Sequence, residues 1–155
     1  MKFNMFKHSL SVLLSSLLIV SLFTACSKDD DLPGLPKGKR MKFTISTSSF
    51  QSGDYISLTI NGNPADGQGS TIFKLNGDLL NNQKSITIDE DEILAGTVTL
   101  ESVVPLSAVY IIAGGFSSDD KHSYILKIEP EIDDKAEAAL THTFDEDVST
   151  VQYEF

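Results

Sequence analysis

Hydrophobic and polar residues alternate from Met41 to the C-terminus, so that apolar side chains fall on every second position of several runs. Successive side chains of a β-strand point to opposite faces of its sheet, and a period of two therefore predicts strands with one buried face. The run Val109–Ile112 is apolar at consecutive positions, which is typical of a central strand. The predicted core-facing residues are Met41, Phe43, Ile45, Ile56, Leu58, Ile60, Ile86, Ile88, Val98, Leu100, Tyr124, Leu126, Ile128, Val151, Tyr153 and Phe155.

Turn-forming residues separate these runs at short intervals, as in Asn61–Pro64 (NGNP) and Asn76–Asp78 (NGD). About eight or nine short strands with such punctuation predict an all-β fold. We expect a single small antiparallel β-sandwich over residues 41–155, with a small closed barrel as the alternative. Lys135–Ala139 is the one stretch in this domain for which the pattern predicts a helical turn.

The segment Ile72–Gly77 (IFKLNG) resembles the third strand and turn of bacterial immunoglobulin-like domains, in which an aromatic residue packs into the core before an Asn-Gly turn. Phe73 stands where those domains usually have tryptophan. The resemblance extends from about Asp54 to Gly77 and implies an immunoglobulin-like sandwich. A transthyretin-like sandwich is an alternative.

The first 25 residues have the parts of a secretory signal peptide. Lys2 and Lys7 give a positive start, and residues 10–22 form an apolar stretch interrupted only by serines. This stretch is shorter than the roughly 20 apolar residues that a membrane-spanning helix needs. We therefore expect cleavage after Ala25, with an uncleaved anchor helix as the alternative.

Cys26 is the only cysteine of the chain and follows this segment directly. The sequence Phe23–Cys26 (FTAC) resembles the lipobox of bacterial lipoproteins. The resemblance implies a thioether-linked diacylglycerol on Cys26 and, after cleavage, an amide-linked acyl chain. Two acyl chains already suffice for stable membrane anchoring.

Lys28, Asp29 and Asp30 follow the cysteine and resemble the export tag of lipoproteins from Bacteroides-like bacteria. The resemblance implies an outer-membrane, lipid-anchored protein displayed on the cell surface, and a periplasm-facing position is the alternative. Prolines and glycines in the next ten residues predict a flexible linker. Residues 26–40 are therefore expected to be a lipidated N-terminus and a tether.

The expected mature chain is strongly acidic. The whole chain has a formal net charge of −10, and removal of residues 1–25, which contain two lysines and no acidic residue, leaves a net charge of −12. From Met41 onward there are six lysines and 19 acidic residues. Because such a domain repels phosphate backbones, the composition excludes nucleic acid as a partner.

No motif indicates catalysis. Cys26 is expected to carry lipid, no Gly-x-Ser-x-Gly elbow occurs, and the two histidines of the domain are isolated in sequence, with His142 in an alternating run that predicts a core or edge position. Acidic loops such as Asp89–Glu92 and Asp145–Asp147 could supply oxygen ligands for Ca²⁺, but they lack the spacing of a dedicated calcium loop. Solvated loops are the preferred interpretation, and we expect no catalytic site, metal or cofactor.

Aromatic residues are the best candidates for ligand contact, although the chain contains no tryptophan. Phe50 and Phe116 lie near predicted turns and are expected to be exposed. Tyr55 and Tyr110 occupy positions that alternate with the core-facing ones along their strands. We expect them to form a second small patch on the surface.

We expect a surface-anchored lipoprotein that acts as a non-catalytic binding or adhesion module of the outer membrane and contacts a glycan, a host factor or another envelope protein. The alternative is a structural subunit of an envelope complex that pairs through an edge strand, with Val148–Phe155 as the candidate edge. A small hydrolase is a third possibility that would require an acid–base pair in a cleft.

Overall fold

Two antiparallel β-sheets pack face to face over residues 37–155, the part of the chain that the structure, a computed structural model, describes. The predicted signal peptide, the lipidated Cys26 and the export tag lie outside these residues. The elements in chain order are β1 (Met41–Ser48), β2 (Tyr55–Pro64), β3 (Phe73–Leu75), β4 (Asp78–Leu80), β5 (Ser85–Ile88), α1 (Glu90–Leu94), β6 (Val98–Ser102), β7 (Leu106–Phe116), β8 (Tyr124–Ile132), β9 (Lys135–Ala136), β10 (Leu140–Phe144) and β11 (Ser149–Glu154).

The larger sheet has seven strands in the order β10-β8-β1-β6-β3-β4, with the short β9 paired to β8. The smaller sheet has four strands in the order β11-β7-β2-β5. All strand pairs in both sheets are antiparallel. Neither sheet closes into a barrel within residues 37–155, and the predicted all-β sandwich is confirmed.

The hydrophobic core lies between the two sheets, and the alternation of the sequence identifies its residues. On β1, β2, β5, β6 and β8 every predicted core-facing residue is at most 5% exposed. The alternating residues Val151, Tyr153 and Phe155 are half-buried and pack against the edge of this core. Full burial of one large apolar side chain, as on β1 or β2, stabilises the fold by about 1.5–3 kcal/mol.

Strand β7 is central, as its apolar run predicts, since it lies between β2 and β11. Only one of its faces is in the core, however. Val109 and Ile111 are fully buried, whereas Ile112 is 37% exposed on the outer face of the sheet.

The segment Ile72–Gly77 forms β3 and the turn that leads into β4. Phe73 is fully buried, and Gly62 gives room for its ring, because a Cβ added at Gly62 would lie 2.7 Å from Phe73 Cζ. Asn76 and Gly77 have φ angles of 51° and 93°, and positive φ at both central residues is what a two-residue type I′ hairpin turn requires. The predicted core aromatic before an Asn-Gly turn is therefore confirmed.

The predicted helical turn at Lys135–Ala139 is wrong. Asp133 and Asp134 have φ angles of 49° and 62° and form a tight hairpin turn between β8 and β9. Lys135 and Ala136 consequently belong to the returning strand, where they pair with β8.

Helix α1 begins instead in an acidic run that was expected to be a loop. The carboxylate of Asp89 accepts the N–H of Asp91, and the carboxylate of Glu92 accepts the N–H of Asp89, which together form a capping box. Acidic side chains in the first turn also interact favourably with the positive end of the helix dipole. In the portion of the chain that the structure describes, no helix has the length and apolar character needed to cross a membrane.

Candidate functional site

The outer face of the four-stranded sheet presents aromatic and uncharged polar side chains to solvent. The alternation that buries one face of β2, β5, β7 and β11 places fifteen residues on the other. We call this surface the outer face of the small sheet. Its residues are Tyr55, Ser57, Thr59, Asn61, Asn63, Ser85, Thr87, Ala108, Tyr110, Ile112, Gly114, Phe116, Thr150, Gln152 and Glu154.

The strand register arranges these residues in rows across the sheet. Tyr55 lies opposite Phe116 at one end, and the next row contains Ser57, Gly114 and Thr150. The two following rows are Thr87-Thr59-Ile112-Gln152 and Ser85-Asn61-Tyr110-Glu154. We call these four rows the strip. Tyr55 and Phe116 lie at one end of the strip and Tyr110 lies at the other, and the residues between them carry hydroxyl, amide or isoleucine side chains or are glycine.

Charge distinguishes this face from the rest of the protein. Among its fifteen residues only Glu154 carries a charge at neutral pH, although the domain from Met41 contains 19 acidic residues. The outer face of the larger sheet is different, with six charged side chains on β1, β3, β6 and β8 and two ion pairs, Lys42–Glu131 at 3.6 Å and Lys127–Glu129 at 2.7 Å. The six are three lysines and three glutamates, so this face carries ionised groups of both signs, whereas the outer face of the small sheet carries one. We call the two surfaces the charged face and the neutral face.

The rings of Tyr55 and Phe116 stack at one end of the neutral face, where Tyr55 is exposed and Phe116 is half-buried. Their centroids are 5.4 Å apart with an interplanar angle of 24°, and Tyr55 is 42% exposed. Such pairs contribute about 0.5–1.5 kcal/mol beyond the burial of their area. Phe116 was expected to be exposed, but the contact with Tyr55 covers part of its ring.

Tyr110 marks the other end of the strip. Its hydroxyl donates to Glu154 Oε1 at 3.0 Å, and this hydrogen bond, together with the negative charge of Glu154, raises the pKa of Tyr110.

Two successive glycines in β7 have opposite roles. Gly114 points outward, and a Cβ added there would meet its nearest neighbour, Thr150 Oγ1, at an ordinary 3.6 Å. Gly115 points inward, where an added Cβ would overlap the hydroxyl of Tyr124 and lie 2.7 Å from the carbonyl oxygen of Tyr55. Gly115 therefore makes space for the core, and Gly114 leaves a low point between the aromatic pair and Ile112.

A buried polar cluster connects the chain segments next to the two residues of the aromatic pair. The side chain of Asp54 has no exposed surface, and it accepts hydrogen bonds from the N–H of Gln51 at 2.9 Å and from both the N–H and the hydroxyl of Ser118. His122 Nε2 lies 3.0 Å from Asp54 Oδ2. Since Asp54 immediately precedes Tyr55, and Ser118 lies two residues after Phe116, the cluster joins the two loops that carry the pair.

The electrostatics of this cluster follow from burial and hydrogen bonding. Burial alone would raise the pKa of Asp54, but the hydrogen bonds from Ser118, Gln51 and His122 outweigh it and hold that pKa below its ordinary value. Burial, and then the charge of Asp54, raise the pKa of Tyr124, so its hydroxyl stays protonated and donates to the carbonyl oxygen of Tyr55 at 2.6 Å. Within residues 37–155 no buried side-chain nitrogen or oxygen is without a hydrogen-bond partner.

The four aromatic candidates do not form the expected patch of Tyr55 with Tyr110. Tyr55 lies against Phe116 and not beside Tyr110, which is three rows away. Phe50 was expected to be exposed, but it is half-buried and packs edge-on against Tyr124 with centroids 4.9 Å apart. Phe50 lies two residues after the end of β1 and follows Ser49, whose φ is 64°.

The remaining candidates occupy other places. His142 is half-buried on the edge strand β10, as its position in an alternating run predicts, with its ring against Phe144 and its Nε2 3.3 Å from Ser149 Oγ. The residues that the structure describes include no group of three or more His, Cys, Asp or Glu side chains placed to hold a metal ion. A shallow depression of about 200 Å³ lies beside Arg40 and Lys42, which is smaller than the roughly 300–1,000 Å³ of typical ligand pockets.

Sequence reasoning missed two features of this site. The aromatic candidates were recognised, but the neutrality of the whole face emerges only when the partners of β2 and β7 are known. The cluster around Asp54 depends on contacts with Ser118 and His122, more than 60 residues away, and no local motif signals it.

Comparison with known proteins agrees with this fold. A scan of protein-family models and a search of curated proteins give no match. Among solved structures, the chain is similar to the calcium-bound form of a protein from Parabacteroides distasonis, determined by NMR, with a TM-score of 0.59, 18% identity and coverage of 81% of this chain and 99% of that chain.

Two crystal structures are also similar. One is a domain of unknown function, DUF4425, from Bacteroides vulgatus, with a TM-score of 0.58 and 15% identity over 77% of this chain and 94% of that chain. The other is a DUF4425 family protein from Bacteroides ovatus, with a TM-score of 0.52 and 16% identity over 77% of this chain and 93% of that chain. The chain therefore shares the β-rich fold of these proteins from Bacteroides and Parabacteroides.

Proposed function

We propose that the chain is a lipoprotein of the outer membrane, anchored through Cys26 and displayed on the cell surface, that acts as a non-catalytic binding module. In this proposal the outer face of the small sheet is the binding surface. The observation that carries the proposal is that this face bears one ionised side chain and a stacked aromatic pair, with Tyr55 exposed, on an otherwise strongly acidic domain.

The stacked aromatic pair supports a binding role because aromatic rings supply much of the contact energy at binding surfaces. Tyrosine and phenylalanine are also enriched at interfaces, where charged residues are depleted from the centre. Tyr55 and Phe116 lie on a face whose fifteen residues include one ionised side chain, Glu154. The buried cluster of Asp54 holds the aromatic pair in a defined geometry, which reduces the entropy lost on binding.

The anchor is supported by the sequence and by the source of the structural neighbours. The lipobox-like segment ending at Cys26 and the tag Lys28-Asp29-Asp30 have the form found in lipoproteins of Bacteroides-like bacteria. The proteins with this fold come from Bacteroides and Parabacteroides species. Calcium is not part of the proposal, since residues 37–155 contain no cluster of three or more ligating side chains placed for a metal.

The anchor is tested by feeding cells radiolabelled palmitate and isolating the full chain. We expect label in the wild-type protein and none in Cys26→Ser, and added protease should digest the domain on intact cells. Label in both proteins, or none in either, would overturn the anchor. Protection from protease until the outer membrane is opened would overturn surface display.

The binding face is tested by photo-crosslinking in intact cells. A photoreactive amino acid replaces Thr59, at the centre of the outer face of the small sheet, or Thr44, its counterpart on the larger sheet; both threonines are half-buried and lie on central strands. We expect crosslinked species from position 59 and few from position 44. Equal crosslinking from both positions would contradict the assignment of the binding face.

A second role, as a structural subunit of an envelope complex, is favoured by the position of β11. This strand is paired only with β7 among the described residues, so one of its edges is open. It contains neither lysine nor proline, which natural edge strands often use to prevent pairing, and Val148 just before it is 79% exposed. A lysine at Gln152 should release a partner that pairs along this edge, and retention of a stoichiometric partner by Gln152→Lys would exclude edge pairing.

A further inference from the structure

We infer that the outer face of the small sheet binds a neutral polysaccharide chain. The inference rests on the proposed function and adds the chemical class of the ligand. Three properties of the face lead to it, namely its shape, its hydrogen-bonding groups and its charge.

The shape of the face favours an extended ligand. The face runs from the row of Tyr55 to the row of Asn63, eight residues along β2 or about 26 Å. All four strands contribute only to its central rows, and the row of Tyr55 contains residues of β2 and β7 alone. The face is therefore longer than it is wide at this end, a shape that an extended chain can follow.

The side chains in the middle of the strip are available for hydrogen bonds. None of Ser57, Thr59, Thr87, Asn61 or Gln152 uses its side chain in a hydrogen bond with another residue of the described part of the chain. Hydroxyl and amide groups both donate and accept, which matches the hydroxyl groups of a sugar. A few such polar groups beside apolar contact area are the usual means of orienting an uncharged ligand.

The aromatic residues at the two ends supply the apolar contacts. The C–H face of a sugar ring is apolar and packs against aromatic rings, and Tyr55 with Phe116 offers such a surface at one end while Tyr110 does so at the other. Gly114 lies between them without a side chain, so a chain of sugars that follows β7 passes over it without obstruction.

Charge determines which polysaccharides fit. A polyanionic chain would be repelled by a domain with 19 acidic residues against six lysines, and this face contains no lysine or arginine to attract it. A cationic partner would be drawn to the acidic loops outside the face. An uncharged chain is therefore the ligand for which the neutrality of this face is suited.

The inference is tested by affinity electrophoresis of the full, lipidated chain in a polyoxyethylene detergent, since glycoside detergents would compete. The gels contain dextran, mannan, xylan or galactan as neutral probes and polygalacturonate as the charged probe. We expect at least one neutral polysaccharide to retard the wild-type protein and polygalacturonate not to. The variant Gly114→Glu, which places a charged side chain in the centre of the strip, should weaken retardation by about tenfold, or about 1.4 kcal/mol.

Two variants serve as controls. Thr141→Glu adds the same charge to an exposed strand position of the larger sheet and should retain wild-type affinity. Gly114→Ala adds a methyl group with ordinary packing contacts and should retain the wild-type Tm, which shows that the fold accepts a side chain at this position. Melting curves of the full chain identify any variant whose fold is lost. A folded Gly114→Glu that still binds like Thr141→Glu would overturn the inference, because the ligand would then lie elsewhere.

The outcomes separate this inference from the proposed function. Crosslinks from position 59 to a protein, with no retardation by any of the four neutral polysaccharides, would overturn the polysaccharide inference and leave the binding face in place. Retardation by polygalacturonate alone would also overturn the inference. Absence of both crosslinks and retardation would overturn both.

Discussion

Replacement of Asp54 by alanine should destabilise the domain strongly, because the Asp54 side chain is a fully buried carboxylate that accepts four hydrogen-bonding contacts. Removal of one member of a buried charged network typically costs about 3–5 kcal/mol, since the partners are left without a counterpart. Here the unpaired groups would be the N–H of Gln51, the N–H and hydroxyl of Ser118, and the ring of His122. Each kcal/mol lowers the Tm of a domain of this size by roughly 3–5 °C, so we expect a decrease of about 9–25 °C.

The assay is thermal unfolding of the full chain, followed by circular dichroism at neutral pH. Glu146→Ala is the control, since it removes one negative charge from an exposed loop position and should change stability by less than about 0.5 kcal/mol. NMR spectra should also show that the signals of Tyr55 and Phe116 broaden or move in Asp54→Ala. A melting temperature of Asp54→Ala equal to that of Glu146→Ala would refute the reasoning that this cluster supports the aromatic pair.

The same residue predicts a dependence of stability on pH. The pKa of Asp54 is lowered in the folded state, whereas an unfolded aspartate has a pKa of about 3.9. The ionised carboxylate of Asp54 therefore contributes its full stabilisation at pH values above the unfolded pKa. This stabilisation is lost as the pH falls through the lower folded pKa. We expect the difference in Tm between the wild type and Asp54→Ala to narrow only below about pH 4.

Three further predictions concern the packing and the outer face. Gly115→Ala should destabilise the domain by several kcal/mol, because its methyl group displaces the hydroxyl of Tyr124, whereas Gly114→Ala should be nearly neutral; equal melting temperatures for the two variants would contradict the opposite roles of these glycines. Leu58→Ala should cost about 2–5 kcal/mol in urea unfolding, and Leu79→Ala, at a position 48% exposed, much less; similar losses would place Leu58 outside the core. Glu154→Gln should lower the pKa of Tyr110, measured by NMR titration of the ring, while Glu101→Gln on the other sheet should leave it unchanged; an unaltered Tyr110 in Glu154→Gln would show that this contact is not formed.

Much of the fold could be predicted from the sequence because the period-two alternation reports directly which side chains are buried. Phe43 and Leu58 are core residues for this reason, and the Asn76-Gly77 turn is recognisable because few residue pairs accept positive φ. The helix could not be placed from periodicity, since α1 has five residues and only Ile93 is buried. Its signal was the capping box, which lies in an acidic run that also resembles a solvated loop.

The candidate site was less predictable because it is a property of strand pairing. Tyr55 and Phe116 are 61 positions apart in sequence and become neighbours only through the register of β2 and β7. Tyr110 has the same outward parity as Tyr55, but parity alone does not tell which residues share a row. The buried position of Phe50 was missed for a related reason, since its ring is placed by contact with Tyr124 on a distant strand.

Photo-crosslinking from Thr59 and from Thr44 in the same intact cells compares the two outer faces of the sandwich in one measurement. We expect position 59, at the centre of the neutral face, to capture ligand and position 44, on the charged face, not to. Capture from position 44 alone, or equally from both positions, would contradict this expectation.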